Sequence, residues 1–231
     1  MKSARIPPNG LRRLTLAFHL TAFFLAASAH AARPFNTDDA RVVDPGGCQI
    51  ESFYKEQRTY SGSEFWFLPA CNPGEVELTL GGNRIEGQDS LILQAKFLMK
   101  PLQANGVGFA GSMGVFGGDP YVNGIMSISF FDDRAVVHAN LGVTKDQDAN
   151  EMRGTWGLGL EALLFAPRLY GILETYGQRS EKPTLHYGLR FWIVPNRFQI
   201  DATHGEQRGS QDPADPQPQR SFNSVGLRIL W

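Results

Sequence analysis

The sequence predicts an all-β fold, a single antiparallel transmembrane β-barrel of about 12 strands. Apolar and polar residues alternate with period 2 in many segments, whereas no stretch after residue 31 keeps a helical period for three turns. The chain is 42% hydrophobic and 19% charged, and it contains 25 glycines. A mean hydropathy of -0.24 excludes a polytopic helical membrane protein but fits a barrel, whose strands average an apolar and a polar face.

Residues 1–31 have the pattern of a secretory signal peptide. Four basic residues lie at the start, an apolar run follows from 14 to 27, and Ala29-His30-Ala31 forms a small-residue cleavage site. The apolar run is shorter than the roughly 20 residues that a permanent membrane-spanning helix needs. We therefore expect export with cleavage after Ala31.

The charge balance and the motifs exclude several classes of function. The chain has 22 Lys+Arg and 23 Asp+Glu, and without its basic first segment it carries five more acidic than basic residues. This balance argues against a nucleic-acid partner, which selects for a clustered basic surplus. Because no Cys/His cluster, phosphate-binding glycine loop or dinucleotide fingerprint occurs, we expect no metal and no cofactor.

Glycine, proline, asparagine and aspartate clusters divide the rest of the chain into segments. Residues 32–47 lack periodicity, and we expect them to remain periplasmic or to fold into the barrel mouth as a plug. The barrel is expected over 48–231, with strands at 48–59, 64–71, 74–83, 88–99, 106–116, 122–131, 134–144, 151–165, 168–178, 184–193, 196–205 and 221–231. Most segments have the roughly 9–11 residues of a strand that crosses a bilayer.

The connections between these segments predict an asymmetry between the two barrel ends. Short turns such as Asn72-Pro73 and Val194-Pro195 are expected at one end, and longer loops such as 81–87 and 206–220 at the other. Bacterial outer-membrane barrels have short periplasmic turns and longer extracellular loops. We therefore expect the first strand to begin on the periplasmic side.

The two cysteines, Cys48 and Cys71, form an even pair in the exported part of the chain, which favours a disulfide over two free buried thiols. Cys48 begins the first predicted strand and Cys71 ends the second, so a hairpin brings both to the same end. The pairing requires a turn centred near Thr59-Tyr60. The turn signal at 61–63 lies slightly later, and either a bulge or a disulfide formed from the strand entrance would absorb the difference.

One face of the predicted strands is apolar and the other is mainly small or polar. Between residues 184 and 193, five apolar or aromatic side chains alternate with His186, Gly188, Arg190 and Trp192. If the apolar faces meet lipid, charged and polar side chains of both signs face the lumen and are expected to pair there. The lumen-facing candidates are Glu51, Lys96, His138, Glu161, Glu174, Arg190, Asp201 and Arg228.

The last strand has a pattern of its own. Val225, Leu227, Ile229 and Trp231 alternate with polar or small residues. A last strand that ends on an aromatic residue resembles the signal by which bacterial outer-membrane barrels are recognised and inserted. This resemblance implies the outer membrane as location, its lipids and the barrel-assembly machinery as partners, and Trp231 as the assembly signal.

The segment before the first strand carries a second resemblance. Arg33-Pro34-Phe35-Asn36-Thr37-Asp38-Asp39, followed by Gln49-Ile50-Glu51, is similar to the start of outer-membrane transporters of the phenol-degradation meta-pathway type. This resemblance implies uptake of a small hydrophobic or aromatic solute.

These patterns predict an outer-membrane barrel that passes small solutes and is not an enzyme. A barrel of 12 strands lies between side-chain-filled and open barrels, so a filled barrel without a conducting lumen is an alternative. A second alternative is a lipid-modifying hydrolase, in which His138 and Asn140 lie beside a serine such as Ser127 or Ser129. A third is a soluble lipocalin-like binder with its apolar faces turned inward.

Overall fold

A computed structural model describes residues 35–58, 62–179, 181–207, 209 and 220–231. The predicted signal peptide and most of the segment 206–220 lie outside these residues. The structure contains twelve strands: β1 Cys48–Gln57, β2 Ser63–Cys71, β3 Val76–Ile85, β4 Gln88–Lys100, β5 Val107–Phe116, β6 Asp119–Phe130, β7 Ala135–Asp146, β8 Glu151–Leu163, β9 Leu169–Gln178, β10 Thr184–Val194, β11 Phe198–Gln207 and β12 Arg220–Leu230. Within the described ranges, no helix has the length and apolar character to cross a membrane.

The twelve strands form one closed antiparallel barrel. Each strand pairs with its neighbours in sequence, and β1 pairs with β12 to complete the ring. Closure leaves no strand edge with unpaired backbone groups. The predicted fold class and strand count are confirmed, and the predicted strand bounds differ from the observed ones by at most three residues.

The alternation places apolar side chains outside and polar side chains inside. On β10, Leu185 and Leu189 are exposed on the outer face, whereas His186 and Arg190 are buried in the interior. Successive side chains of a strand point to opposite faces, so each strand repeats this division. The result is the reverse of the lipocalin-like alternative, which requires apolar side chains inside. Trp192, on the inner face of β10, is also buried.

We name the two ends of the barrel by their contents. The terminal end holds the start of β1, the end of β12 and the connections at 72–75, 101–106, 131–134, 164–168 and 195–197. The loop end holds the connections at 58–62, 86–87, 117–118, 147–150, 179–183 and 208–219.

The predicted difference in loop length is wrong for most connections. Only the connection at 208–219 is long, and two connections at the loop end are two-residue turns, Glu86–Gly87 and Gly117–Gly118. All four turn residues have positive φ, which suits tight hairpin turns between twisted strands.

Gly81 and Gly82, which indicated a loop in the sequence, lie inside β3. A Cβ at Gly81 would approach the Phe67 carbonyl oxygen to 2.5 Å, so close strand packing requires glycine there.

The predicted disulfide between Cys48 and Cys71 is confirmed. The two residues are directly paired across β1 and β2, with a Cα–Cα distance of 4.0 Å. The β1–β2 register contains no irregularity, so the bulge that the sequence allowed is not used. The register extends to the pair Glu56 and Ser63, so Ser63 belongs to β2 rather than to the turn. The disulfide lies on the outer face at the terminal end.

Residues 35–44, which we name the inner segment, lie within the barrel. Phe35, Thr37, Asp39, Ala40 and Val43 are all buried, and the segment contacts side chains of strands around the ring. Ala40 packs with Ala110 of β5 and Ile125 of β6 in a small apolar cluster. The chain leaves the interior at the terminal end, where the Gly46 N–H donates to the Asn72 carbonyl oxygen.

Candidate functional site

The backbone of the inner segment is bound by side chains of the barrel wall. The N–H groups of Asn36 and Thr37 both donate to the Glu174 carboxylate, at 2.9 and 2.8 Å. The N–H of Ala40 donates to Ser127 Oγ at 2.8 Å, and that of Val43 donates to the Glu77 carboxylate at 2.7 Å. Buried backbone donors need partners, and here the wall supplies them instead of secondary structure. The inner segment is therefore anchored in a specific position.

A fourth anchor involves both polar atoms of the Asn140 side-chain amide. Its Oδ1 accepts from the Asp38 N–H at 2.5 Å, and its Nδ2 donates to the Asp38 carbonyl oxygen at 2.8 Å. The side chain thus pairs with the inner segment as a neighbouring strand would.

Two glycines on the inner face of β8 make room for the inner segment. A Cβ at Gly159 would lie 2.2 Å from the Phe35 ring, and a Cβ at Gly157 would lie 2.6 Å from Thr37 Oγ1. Real Cβ atoms do not approach other heavy atoms so closely, so alanine at either position would displace the segment. The Phe35 ring also meets the edge of the His138 ring at a centroid distance of 5.9 Å. These two glycines form a recess for Phe35 and Thr37.

Lys96 forms an ion pair with the inner segment. Its Nζ lies 2.7 Å from Asp38 Oδ1 and 3.0 Å from Asp39 Oδ1. Burial raises the pKa of Asp39, but the charges of Lys96 and Arg41 outweigh it and hold the pKa well below its usual range. Asp39 is therefore ionised at neutral pH. Removing one partner of such a buried pair costs about 3–5 kcal/mol, because the other charge is left without compensation.

A second charged cluster lies on the wall around Arg190. Its Nε donates to Asp201 Oδ1 at 2.9 Å, and its Nη1 donates to Glu161. Gln199 donates to both oxygens of Asp201. The guanidinium also lies 5.9 Å from the Phe35 ring centroid, within the range of a cation–π contact. This cluster satisfies its charges within the wall and contacts the end of the inner segment.

A chain of hydrogen bonds supports Glu174 from behind. Its carboxylate lies 2.6 Å from His186 Nδ1, and His186 Nε2 lies 2.7 Å from Thr203 Oγ1. Thr203 Oγ1 in turn lies 2.5 Å from Ser224 Oγ. The chain fixes the orientation of the carboxylate that binds the inner segment.

All of the predicted lumen residues are buried on the inner face of the barrel. Glu161, Arg190 and Asp201 meet in one cluster, and Lys96 and Glu174 bind the inner segment. Near the terminal end, Arg228 lies 3.6 Å from Glu51 and donates to Gln49. The eight predicted residues, in chain order, are Glu51, Lys96, His138, Glu161, Glu174, Arg190, Asp201 and Arg228.

The sequence did not indicate that several residues hold the inner segment, although it named Asn140 as part of the hydrolase alternative. Glu77 and Asn140 bind its backbone, and Gly157 and Gly159 receive its side chains. The two glycines on the inner face of β8 were a usable signal, because an inner face without side chains implies that something else fills the space. Nothing in the sequence indicated which wall residue pairs with which residue of the inner segment.

The hydrolase alternative predicted a serine beside His138. Ser127 Oγ lies 2.8 Å from His138 Nδ1, so the predicted proximity exists. Both side chains are buried on the inner face beneath the inner segment, and Asn140 binds Asp38 rather than His138. A lipid substrate in the membrane would have no access to this pair.

Side chains do not fill the space beside the inner segment. A cavity of about 250 Å³ lies between residues 35–41 and the wall formed by β1 to β7. Its apolar lining comprises Phe35 of the inner segment together with Trp66, Leu68, Ala70, Ile92 and Phe116 of the wall. Its polar lining includes Asp38, Arg41, Gln49, Glu77, Gln94, Lys96, Tyr121 and Arg228. We name this space the aromatic cavity.

A second cavity of about 280 Å³ lies toward the loop end. It shares Asn36 and Asn123 with the aromatic cavity, so the tip of the inner segment separates the two spaces. Its lining is mostly uncharged and polar, and we name it the amide cavity. Across the described ranges, no group of three or more His, Cys, Asp or Glu side chains is placed to hold a metal ion.

The closed ring, the apolar outer face and the polar interior define a class: a twelve-stranded β-barrel with the fold of outer-membrane porins. The NanC porin superposes with a TM-score of 0.62 at 7% identity, covering 78% of this chain and 98% of that chain. The KdgM porin gives 0.57 at 10% identity with the same coverages. The outer membrane protein Omp33 of Acinetobacter baumannii gives 0.52 at 9% identity, covering 80% and 98%.

The sequence places the chain in one particular family. Residues 19–213 match the family described as uncharacterised conserved protein UCP029691, and the chain belongs to that family. No curated protein matches by sequence.

Proposed function

We propose that the protein is an outer-membrane channel whose lumen is narrowed, but not closed, by the inner segment. The aromatic cavity carries this proposal, since it leaves space along the inner segment on the β1 to β7 side. The likeness of fold to porins supports it. A barrel with a packed interior would lack such a space.

The location follows from the outer surface and from the sequence. Large apolar side chains are exposed around the ring, such as Leu141, Leu158 and Leu189, and in water they would form an unusually large apolar surface. In the proposal, residues 1–31 are a signal peptide cleaved after Ala31, the terminal end is periplasmic and outer-membrane lipids cover the apolar belt. Trp231, exposed beside Cys48 at the terminal end, is the residue that the barrel-assembly machinery recognises.

Fractionation and gel migration test this location. The protein is expected in the outer-membrane fraction, and the folded form is expected to migrate differently from the heated form in a denaturing gel. A freely soluble periplasmic protein would contradict the proposal.

We further propose a small aromatic or hydrophobic molecule as the solute. Trp66 and Phe116 are in contact, with a ring-centroid distance of 5.5 Å, and both line the aromatic cavity. A pair of aromatic side chains at this distance can make edge and face contacts with the ring of a bound solute. The resemblance of residues 33–39 to transporters linked to aromatic degradation supports the same class of solute.

Charge compensation in the wall favours an uncharged form of that solute. Lys96 is paired with Asp38 and Asp39, and Arg228 lies beside Glu51. At Lys96 and Arg228, a solute with a net charge would lose its hydration without gaining an uncompensated partner.

Calorimetric titration with phenol tests the solute class. The refolded barrel in detergent is expected to bind phenol, and a Trp66→Ala/Phe116→Ala variant is expected to lose roughly tenfold in affinity, because each ring contact contributes about 0.5–1.5 kcal/mol. The variant in the same detergent also controls for phenol that enters the micelles. Equal heats for both proteins would contradict the proposed solute class but would leave the channel itself in place.

A further inference from the structure

The amide cavity differs from the aromatic cavity in the chemistry of its lining. Amide and hydroxyl side chains surround it, and Glu181 at the loop end is the one charged residue among the described residues that line it. The polar lining comprises Asn36, Asn123, Asn140, Thr155, Tyr176, Gln178, Thr184 and Gln207. Among the lining residues that the structure describes, an anion would therefore find no cationic side chain.

Three of these side chains have hydrogen-bonding capacity that the protein does not use. Asn36, at the tip of the inner segment, is exposed inside the lumen, and Thr155 and Gln178 are half-buried. Within the part of the chain that the structure describes, none of the three side chains forms a hydrogen bond with another residue. By contrast, Asn140 is bound to Asp38, and Gln207 donates to the Lys182 carbonyl oxygen. The free donors and acceptors come from three different elements around one space.

The cavity also offers an apolar surface. Tyr176 lines it, and its ring makes a T-shaped contact with the His186 ring at a centroid distance of 6.4 Å. Gly157 and Gly177 add backbone surface without side chains. The volume of about 280 Å³ lies near the lower limit for small-molecule sites, roughly 300 Å³, which suits one small ring.

From this lining we infer that the amide cavity binds a neutral polyhydroxylated solute of about monosaccharide size. Asn36 and Gln178 carry both a donor and an acceptor, which matches the alternating needs of adjacent hydroxyl groups. Thr155 provides a further hydroxyl contact, and the Tyr176 ring packs against the C–H face of the sugar. An acidic sugar of equal size binds less well, because among the described lining residues its carboxylate meets Glu181 and no cationic side chain.

The inference rests on the proposed function in one respect: the barrel must admit the solute into its lumen from the loop end. Binding is measured by saturation-transfer NMR on the refolded barrel in detergent, with glucose and glucuronate as probes. Glucose is expected to bind, and glucuronate is expected to bind several-fold more weakly.

Substitutions in the amide cavity test whether glucose binds there. Asn36→Ala/Gln178→Ala is expected to weaken glucose binding by roughly tenfold, because each lost hydrogen bond contributes about 0.5–1.5 kcal/mol. Thr155→Val, which keeps the shape of the side chain, is expected to give a smaller loss. Gln88→Ala removes an exposed amide in the turn region of β4, outside the cavity, and is expected to bind as the wild type does.

Two results would overturn the inference. One is the absence of glucose binding to the wild type at a glucose concentration of about 100 mM, about 100-fold above a dissociation constant of about 1 mM. The other is unchanged binding in a correctly folded Asn36→Ala/Gln178→Ala variant. Either result is compatible with ion conductance through the barrel, so the inference fails separately from the channel proposal.

Discussion

The two sides of the lumen use their inner faces differently. On the side of β6 to β10, small and polar side chains bind the inner segment: Gly159 receives Phe35, Ser127 binds Ala40 and Glu174 binds Thr37. On the opposite side, Trp66 and Phe116 face the aromatic cavity and leave it open. Glu77 on β3 and Lys96 on β4 also bind the inner segment, but the unfilled space lies on their side of the lumen.

This difference shows that polarity alone does not determine what an inner face does. Both walls carry buried charges, since Lys96 lies on β4 and Arg190 on β10. The free space at the inner face decides where the inner segment lies. The absence of side chains at Gly157 and Gly159 lets its backbone approach β8. Changing that space is therefore expected to have the largest effect on the channel.

The first prediction fills the recess on β8. Gly159→Leu places a side chain where the Phe35 ring lies, since even a Cβ would be 2.2 Å from that ring. The variant is expected to expel the end of the inner segment and to raise single-channel conductance in planar bilayers severalfold. The control is Gly124→Leu on the outer face, where a Cβ meets only the Leu141 carbonyl oxygen at 3.6 Å. Equal conductance of Gly159→Leu and the wild type would mean that the recess does not position the segment.

The second prediction removes one anchor and leaves the recess in place. Glu174→Ala eliminates the acceptor for the N–H groups of Asn36 and Thr37, and hydrogen bonds to a charged group contribute about 1.5–3 kcal/mol each. We expect a smaller rise in mean conductance than for Gly159→Leu, together with more frequent switching between levels. Glu174→Gln keeps one acceptor oxygen and is expected to lie between Glu174→Ala and the wild type. A quieter channel in Glu174→Ala would contradict this role.

The third prediction concerns the disulfide on the outer face, which joins β1 and β2. Cys48→Ser/Cys71→Ser removes a cross-link over a sequence separation of 23 residues, and the chain-entropy relation gives a loss of about 3 kcal/mol in the free energy of unfolding. Urea unfolding in detergent measures the loss. Because the disulfide is on the outer face, conductance is expected to stay at the wild-type value, and a changed conductance would show that it acts on the lumen.

Period 2 in the sequence was sufficient to assign the faces of the strands. It predicted that His138, Glu174, Arg190 and Asp201 share the inner face, because the side chains of a strand alternate whatever the strand packs against. The disulfide was predictable for a related reason. Cys48 and Cys71 lie on adjacent strands of one hairpin, where the register follows from the turn.

The contacts across the lumen were not predictable from the sequence. Glu174 binds residues about 137 positions earlier in the chain, and such a contact depends on barrel closure and strand stagger rather than on any local pattern. The inner segment has no period, so its path was left open between a periplasmic and an interior position. The loop lengths were misjudged because Gly81 and Gly82 serve close strand packing instead of a turn.

Single-channel conductance with the inner segment replaced tests the channel proposal most directly. Residues 35–41 are exchanged for a glycine–serine sequence of equal length, which keeps β1 and the Cys48–Cys71 disulfide while removing Phe35, Thr37 and the ion pair of Lys96 with Asp38 and Asp39. The wild type is expected to give a small but measurable conductance and the exchanged protein a severalfold larger one. A wild type without conductance and an exchanged protein that is equally silent, both correctly folded, would show that the barrel is not a channel.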